Sequence, residues 1–263
     1  VHPSDTEAPP RPGSRTGKIV GAIPARYDSK RLPGKVLLPI AGRPMIEHVY
    51  RRAARAKGLT RLVVLTDDVR IAEVVARFGG ECEMTPAECA SGTDRIAWAA
   101  REWDAAAVVN VQGDEPLIDP TAITTLAEHL AEHPNEPIAT LAAEAEPGDA
   151  ENPNVVKVVT DLAGFALYFT RAPVPYRRET GGPPTLRHIG IYGYQRAALL
   201  ELASKPPSPL ERAEGLEQLR ALENGVRIRV LRAAGAWWGV DTMADLERTE
   251  TYLRGQVDAS ETD

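Results

Sequence analysis

Apolar and polar positions along this chain trade between the period of a strand and that of a helix. The run Ile19-Val20-Gly21-Ala22-Ile23 has the length and continuity of a buried strand. Behind Pro44, which a first helical turn tolerates, Ile46, Val49, Tyr50 and Ala53 recur at helical spacing until Gly58 closes the segment. Leu62 to Leu65 predicts a second strand, and Ile71, Val74, Val75 and Phe78 share one face of a second helix. Ala106 to Val111 predicts a third strand, and Ile123, Leu126, Ala127 and Leu130 a third helix. This alternation implies an α/β fold with a mainly parallel sheet covered by helices on both faces.

From about Pro137 the pattern changes. Val155 to Thr160, Ala166 to Thr170 and Ile189 to Tyr194 read as strands with no long helix between them, which predicts an antiparallel insertion over about 137–194. A helix from about Leu210 to Glu223, a strand at Val226 to Leu231 and a helix from Met243 to about Arg254 complete a single domain over 19–255. Val1 to Lys18 holds four prolines and little apolar content, so it is expected to be a disordered tail, with 256–263 a flexible end.

Composition narrows the function. No apolar run approaches the ~20 residues that span a bilayer, and the net charge of -6 argues against a broad nucleic-acid surface. Cys82 and Cys89 are the only cysteines and the first residues lack an apolar leader, so a disulfide framework is not expected and a cytoplasmic protein is.

Open α/β sheets bind ligands beyond the carboxyl ends of their strands, so the loops there carry the chemistry. The first, Pro24 to Lys35, gathers Arg26, Lys30, Arg31 and Lys35. Guanidinium forks and a mobile ammonium suit a triphosphate, and the loop lacks the glycine pattern of a P-loop. The second, Gln112-Gly113-Asp114-Glu115-Pro116, ends a Val-rich strand on carboxylates that suit Mg²⁺ or, equally, a plain turn. Asp241, ahead of the last helix, reads by itself as an N-cap, with a second metal ligand as the alternative. His188 alone reads as a strand histidine with a satisfied hydrogen bond sooner than as a ligand contact.

Ala25-Arg26, Arg31-Leu32-Pro33-Gly34-Lys35, Ser91-Gly92-Thr93-Asp94-Arg95, Gln112 to Pro116, Arg187-His188-Ile189-Gly190-Ile191-Tyr192 and Leu216-Glu217-Gln218-Leu219-Arg220 occur in one order. In that set, from Ile19 to about Leu253, the chain resembles the CMP-Kdo synthetases, the 3-deoxy-manno-octulosonate cytidylyltransferases. The resemblance implies a Rossmann-like nucleotidyltransferase fold, a homodimer formed largely through the antiparallel insertion, CTP as donor, a small acidic acceptor and Mg²⁺ as cofactor. It implies catalytic roles for Arg26, Lys35 and Asp114, and a nucleotide site from Pro24, Ala25, Arg26, Arg31, Lys35, Ser91, Gly92, Arg95 and Gln112. It further implies an acceptor site from Arg171, His188, Tyr192, Glu217 and Gln218, and a metal pair in Asp114 and Asp241.

Two departures fall on the acceptor side. Ala234-Gly235-Ala236-Trp237-Trp238-Gly239 replaces a Pro-Gly-Thr-Gly-like stretch, and Arg177 to Thr185 is shorter than the family loop. The two tryptophans either reshape the acceptor pocket or pack under the last helix. The acceptor expected is a Kdo-type sugar acid, with a small phosphonate such as phosphonoformate as the alternative. A sugar-nucleotide sensor without turnover is the reading from another class, against which Lys35, Asp114 and Asp241 speak.

Overall fold

The computed structural model describes residues 17–29, 32–176, 178, 182–233 and 238–260, the side chains of 256–260 excepted. Most of the expected tail, Lys30, Arg31 and Trp237 lie outside the described residues.

The chain opens with β1 (Ile19–Pro24), a 3-10 turn (Lys35–Leu37), the two-residue strands β2 (Pro39–Ile40) and β3 (Arg43–Pro44), α1 (Met45–Ala53), β4 (Arg61–Thr66), α2 (Val69–Arg77), β5 (Cys82–Met84), α3 (Gly92–Ala100), β6 (Ala107–Asn110) and α4 (Pro120–Glu132). It continues with β7 (Ile138–Glu144), β8 (Lys157–Thr160), β9 (Ala166–Thr170), β10 (Leu186–Gln195), α5 (Arg196–Ala203), α6 (Pro209–Glu214), α7 (Gln218–Glu223), β11 (Ile228–Arg232) and α8 (Met243–Ser260).

The main sheet runs β11-β7-β10-β6-β1-β4-β5, with β8 attached to β10 and β9 to β8. Strands β6, β1, β4 and β5 pair in parallel, as do β11 and β7, whereas β10 is antiparallel to both its neighbours. The mainly parallel sheet expected from the alternating pattern is therefore present. β7 and β10 are members of that sheet, and β8 and β9 extend from it.

Alternation along the strands divides the core between the two faces. Ile23, Val64 and Val109 pack with Ile46, Ile71 and Ile123 on one side. Ala22, Val63 and Val108 pack with Ile96, Leu199 and Leu219 on the other.

The helix expected over 210–223 is two helices. Ser208 and Pro209 start α6 with a capping box, and Gly215 ends it in the left-handed region at φ 64. An L side chain adopts that backbone poorly, so the glycine breaks the apolar period and turns Leu216 and Glu217 inward. The last helix also runs beyond Arg254, to Ser260.

Candidate active site

Two loops meet at the carboxyl edge of the sheet. Beyond β1 the chain turns so that Ala25 N donates to Leu65 O at 2.8 Å, and the 3-10 turn then aims Lys35 back at the strand ends. Beyond β6, Gly113 passes so close to β1 that a Cβ there would lie 2.9 Å from Pro24 O. Only glycine permits that approach without displacing backbone. Together these loops and the start of α3 enclose a cavity of about 450 Å³, lined among others by Pro24, Ala25, Arg26, Lys35, Ser91 and Gly92. Arg95, Gln112, Asp114 and Asp241 complete its polar wall.

Lys35 organises this wall. Its Nζ donates to Asp114 Oδ2 at 2.6 Å and to Asp241 Oδ1 at 3.2 Å. The ammonium is largely buried while both carboxylates remain partly open, at 35% and 49% side-chain exposure, so their other oxygens can meet a ligand. Backbone holds the pair together, because Val240 N donates to Asp114 O at 2.9 Å. The helix cap falls to Thr242 instead of Asp241: Asp245 N donates to Thr242 Oγ1, and the Asp245 carboxylate accepts from the amides of Asp241 and Thr242.

At the head of α3, Ser91 and Asp94 form a reciprocal capping box, each accepting from the other's amide at 3.1 Å. The positive end of the helix therefore faces the cavity through Ser91 and Gly92. Arg95 is buried, its guanidinium 3.3 Å from Asp67 and donating to Thr85. Its charge is matched inside the protein, whereas Arg26 is exposed at the cavity mouth.

A smaller cavity of about 110 Å³ adjoins the first and is lined by Thr93, Asn110, Gln112, Tyr192, Tyr194, Leu202, Glu217 and Gln218. Gln112 lines both. Here burial governs ionisation. Burial raises the Glu217 carboxyl above its ordinary range, against the hydroxyls of Thr93 and Ser91 that hydrogen-bond to it. Burial also raises the Tyr192 and Tyr194 phenols. The Tyr192 hydroxyl is buried and has no hydrogen-bond partner among the described residues.

His188 packs against Tyr192, with ring centroids 5.4 Å apart, and against the edge of Phe169 at 5.0 Å. Burial lowers its pKa to about 3, so the ring is neutral near pH 7. Thr140 Oγ1 donates its proton to Ile191 O at 2.8 Å, which leaves Nε2 of His188, 3.0 Å away, as the donor to that hydroxyl. Arg171 lines neither cavity: its Nε donates to Glu214 O and its Nη1 to Pro153 O, each at 3.0 Å.

The structure thus brings Pro24, Ala25, Arg26, Lys35, Ser91, Gly92, Arg95, Gln112, Asp114 and Asp241 to one cavity, and Tyr192, Glu217 and Gln218 to its neighbour. Trp238 packs on α8, its Nε1 donating to Thr249 Oγ1 at 2.9 Å and Arg248 stacked on its ring. The sequence motifs do not single out Ser29, Cys89 and Ala90 in the larger cavity or Asn110 and Tyr194 in the smaller, whereas Thr93 lies in the Ser91 to Arg95 motif. Asn110 carried a signal, being a polar residue in the otherwise apolar strand Ala107-Val108-Val109-Asn110.

Residues 20–228 match the family model described as Cytidylyltransferase. A 3-deoxy-manno-octulosonate cytidylyltransferase of Syntrophotalea carbinolica is 51% identical over 90% of this chain and 99% of that protein. One of Syntrophobacter fumaroxidans is 53% identical over 90% of this chain and 97% of that protein. A solved CMP:2-keto-3-deoxy-manno-octonic acid synthetase in complex with CTP superposes with a TM-score of 0.88 at 43% identity, covering 91% of this chain and 99% of that one.

Proposed function

The chain belongs to the 3-deoxy-manno-octulosonate cytidylyltransferase family, and on that premise we propose that it transfers CMP from CTP to 3-deoxy-manno-octulosonate with release of pyrophosphate. The observation that carries this reading is Lys35, one ammonium reaching Asp114 and Asp241 at the edge of a nucleotide-sized cavity. The relatives' activity favours a sugar acid over a phosphonate, and a turnover-competent set of charged groups speaks against a sensor.

In this reading CTP lies in the larger cavity, its phosphates met by Arg26, Lys35 and the amino end of α3. The smaller cavity is too tight for a whole octulosonate at about 110 Å³, so the acceptor extends past Gln112 toward the α-phosphorus. An acceptor oxygen attacks that phosphorus in line and the bond to the pyrophosphate oxygen breaks, with positioning and fixed charge as the source of rate. No protein nucleophile is needed.

Two carboxylates converging on one cation form a donor set that fits a hard divalent ion, since Mg²⁺ takes one or two carboxylates and fills its shell with water and phosphate oxygens. Asp114 and Asp241 would hold it, and when bound it neutralises charge developing on the triphosphate. The reading includes a homodimer through the β8–β9 side, where Leu162, Leu167 and Tyr176 are exposed. It includes a cytoplasmic location, where CTP is made; no described helix is long and apolar enough to cross a membrane.

The test is mass spectrometry of products from CTP with 3-deoxy-manno-octulosonate or with phosphonoformate, in magnesium and after chelation. CMP-octulosonate and pyrophosphate in magnesium alone are expected. Exclusive CMP-phosphonate formation, or CTP binding without pyrophosphate release, would replace this reading. Sedimentation giving only monomer would remove the dimer.

A further inference from the structure

Lys157 is the first residue of β8 and is wholly buried, yet among the described residues it forms no ion pair with a carboxylate. Its Nζ donates to three backbone carbonyls, Asn152 O at 2.9 Å, Val155 O at 2.8 Å and Arg171 O at 2.5 Å. A neutral amine has two N–H groups, so three acceptors require the ammonium form. A ring of carbonyls around a single positive charge is the arrangement by which backbone replaces the water shell of a monovalent cation.

We infer that Lys157 is a tethered internal cation that positions the acceptor side of the site. Two chains of contact lead from it to the smaller cavity. The turn it grips ends at Val156, whose carbonyl accepts from His188 N at 2.8 Å, and the His188 ring packs against Tyr192. The second runs through Arg171, whose amide donates to Glu214 Oε2 and whose Nε donates to Glu214 O. Glu214 ends α6, and the next residues lead through Gly215 to Glu217 and Gln218 in the cavity wall. Glu214 also accepts from Thr170 Oγ1 at 2.6 Å, so the end of β9 is clamped to α6.

Without the cation, three carbonyls at the root of both chains lose their donor and repel one another. The Asn152–Val155 turn and the Arg171 backbone then separate, and Tyr192 and Glu217 lose their shared reference point. Neither element reaches Lys35, Asp114 or Asp241 through these contacts, and the Glu217–Ser91 hydrogen bond links them to the larger cavity, so the effect falls chiefly on the acceptor.

The test uses the full-length chain with Lys157→Ala and Lys157→Met, read by separate KM values for CTP and 3-deoxy-manno-octulosonate. Thermal melting follows in sodium, potassium, ammonium and tetramethylammonium chloride at matched ionic strength. Both variants are expected to raise the acceptor KM about tenfold or more, the scale of a sub-ångström misplacement, with the CTP KM within about twofold. In the Ala variant, which leaves room for a free ion, ammonium or potassium restores the acceptor KM saturably and raises the melting temperature. Tetramethylammonium is too large to act, and the Met variant, whose side chain fills the space, shows no rescue.

An unchanged acceptor KM in a folded variant, or an equal rise in both KM values, would overturn the inference. So would the absence of ion-specific rescue, including an Ala variant that stays unfolded in saturating ammonium. The inference rests on the acceptor reading given above. A wild-type chain without CMP transfer would sink that reading alone, and ion-specific melting of the Ala variant would still report on the cation site.

Discussion

The two cavities that meet at Gln112 differ in how they obtain their chemistry. The larger keeps charged groups at loop ends, partly open to solvent and close to one another, so that Lys35, Asp114 and Asp241 present fixed charge to the cavity. The smaller buries its titratable groups. Glu217 is pushed toward its protonated form, the Tyr192 hydroxyl is buried without a hydrogen-bond partner among the described residues, and His188, packed against Tyr192, is held neutral. A site that must bind a polyanion benefits from exposed cations, whereas one that must select a small polar acceptor benefits from buried groups whose unmet hydrogen bonds penalise the wrong occupant.

The largest break of this contrast is expected at Asp114. Asp114→Asn keeps the shape and removes the charge, and kcat should fall by about 10² to 10³ while CTP binding by calorimetry changes only severalfold. Near-normal turnover would take Asp114 out of the mechanism. A smaller effect on the other side sharpens the comparison. Tyr192→Phe removes a hydroxyl that has no hydrogen-bond partner among the described residues, so the acceptor KM should rise about fivefold, the worth of about 1 kcal/mol, with no loss of melting temperature. A destabilised variant with an unchanged acceptor KM would show that the hydroxyl is bound within the protein.

The smallest effect near neutrality concerns His188. Its folded pKa is depressed, so the unfolded chain binds the extra proton first as pH falls. Its contribution is complete above about pH 6.5, the ordinary histidine value, and is lost as pH drops from there toward 3. Glu136, held at about 2 chiefly by its hydrogen bond from Arg229, adds its own loss only below the ordinary carboxylate range. Chemical denaturation between pH 6.5 and 4.5 should therefore show a slope that His188→Gln flattens. An unaltered slope would assign it to other groups.

What could be read from the sequence follows the same division. β1, β4 and β6 stand out as apolar runs because a strand buried on both faces needs no polar alternation. The loops beyond them were legible because clustered cations and a Gly-Asp turn are local signals. β7 was not, since Ile138-Ala139-Thr140-Leu141-Ala142-Ala143-Glu144 is alanine-rich and its strand character comes from pairing with β10 and β11. α3 hid its period behind alanines and a buried Arg95 whose partners, Asp67 and Thr85, come from other segments. Lys157 gave no sign at all, because its three carbonyl partners converge only after β8, β9 and the preceding turn have assembled. The smaller cavity is of this second kind: a family resemblance named Tyr192, Glu217 and Gln218 there, but the ionisation of Tyr192 and Glu217 is set by burial that no local pattern encodes.

Whether Asp114 and Asp241 serve one cation is the point on which the nucleotide side turns, and a double-variant cycle tests it most directly. With Asp114→Asn, Asp241→Asn and the two combined, kcat/KM for CTP at saturating acceptor and magnesium should fall no further in the double variant than about threefold below the worse single one, because a shared ion is lost once. Independent losses that multiply in the double variant would contradict it.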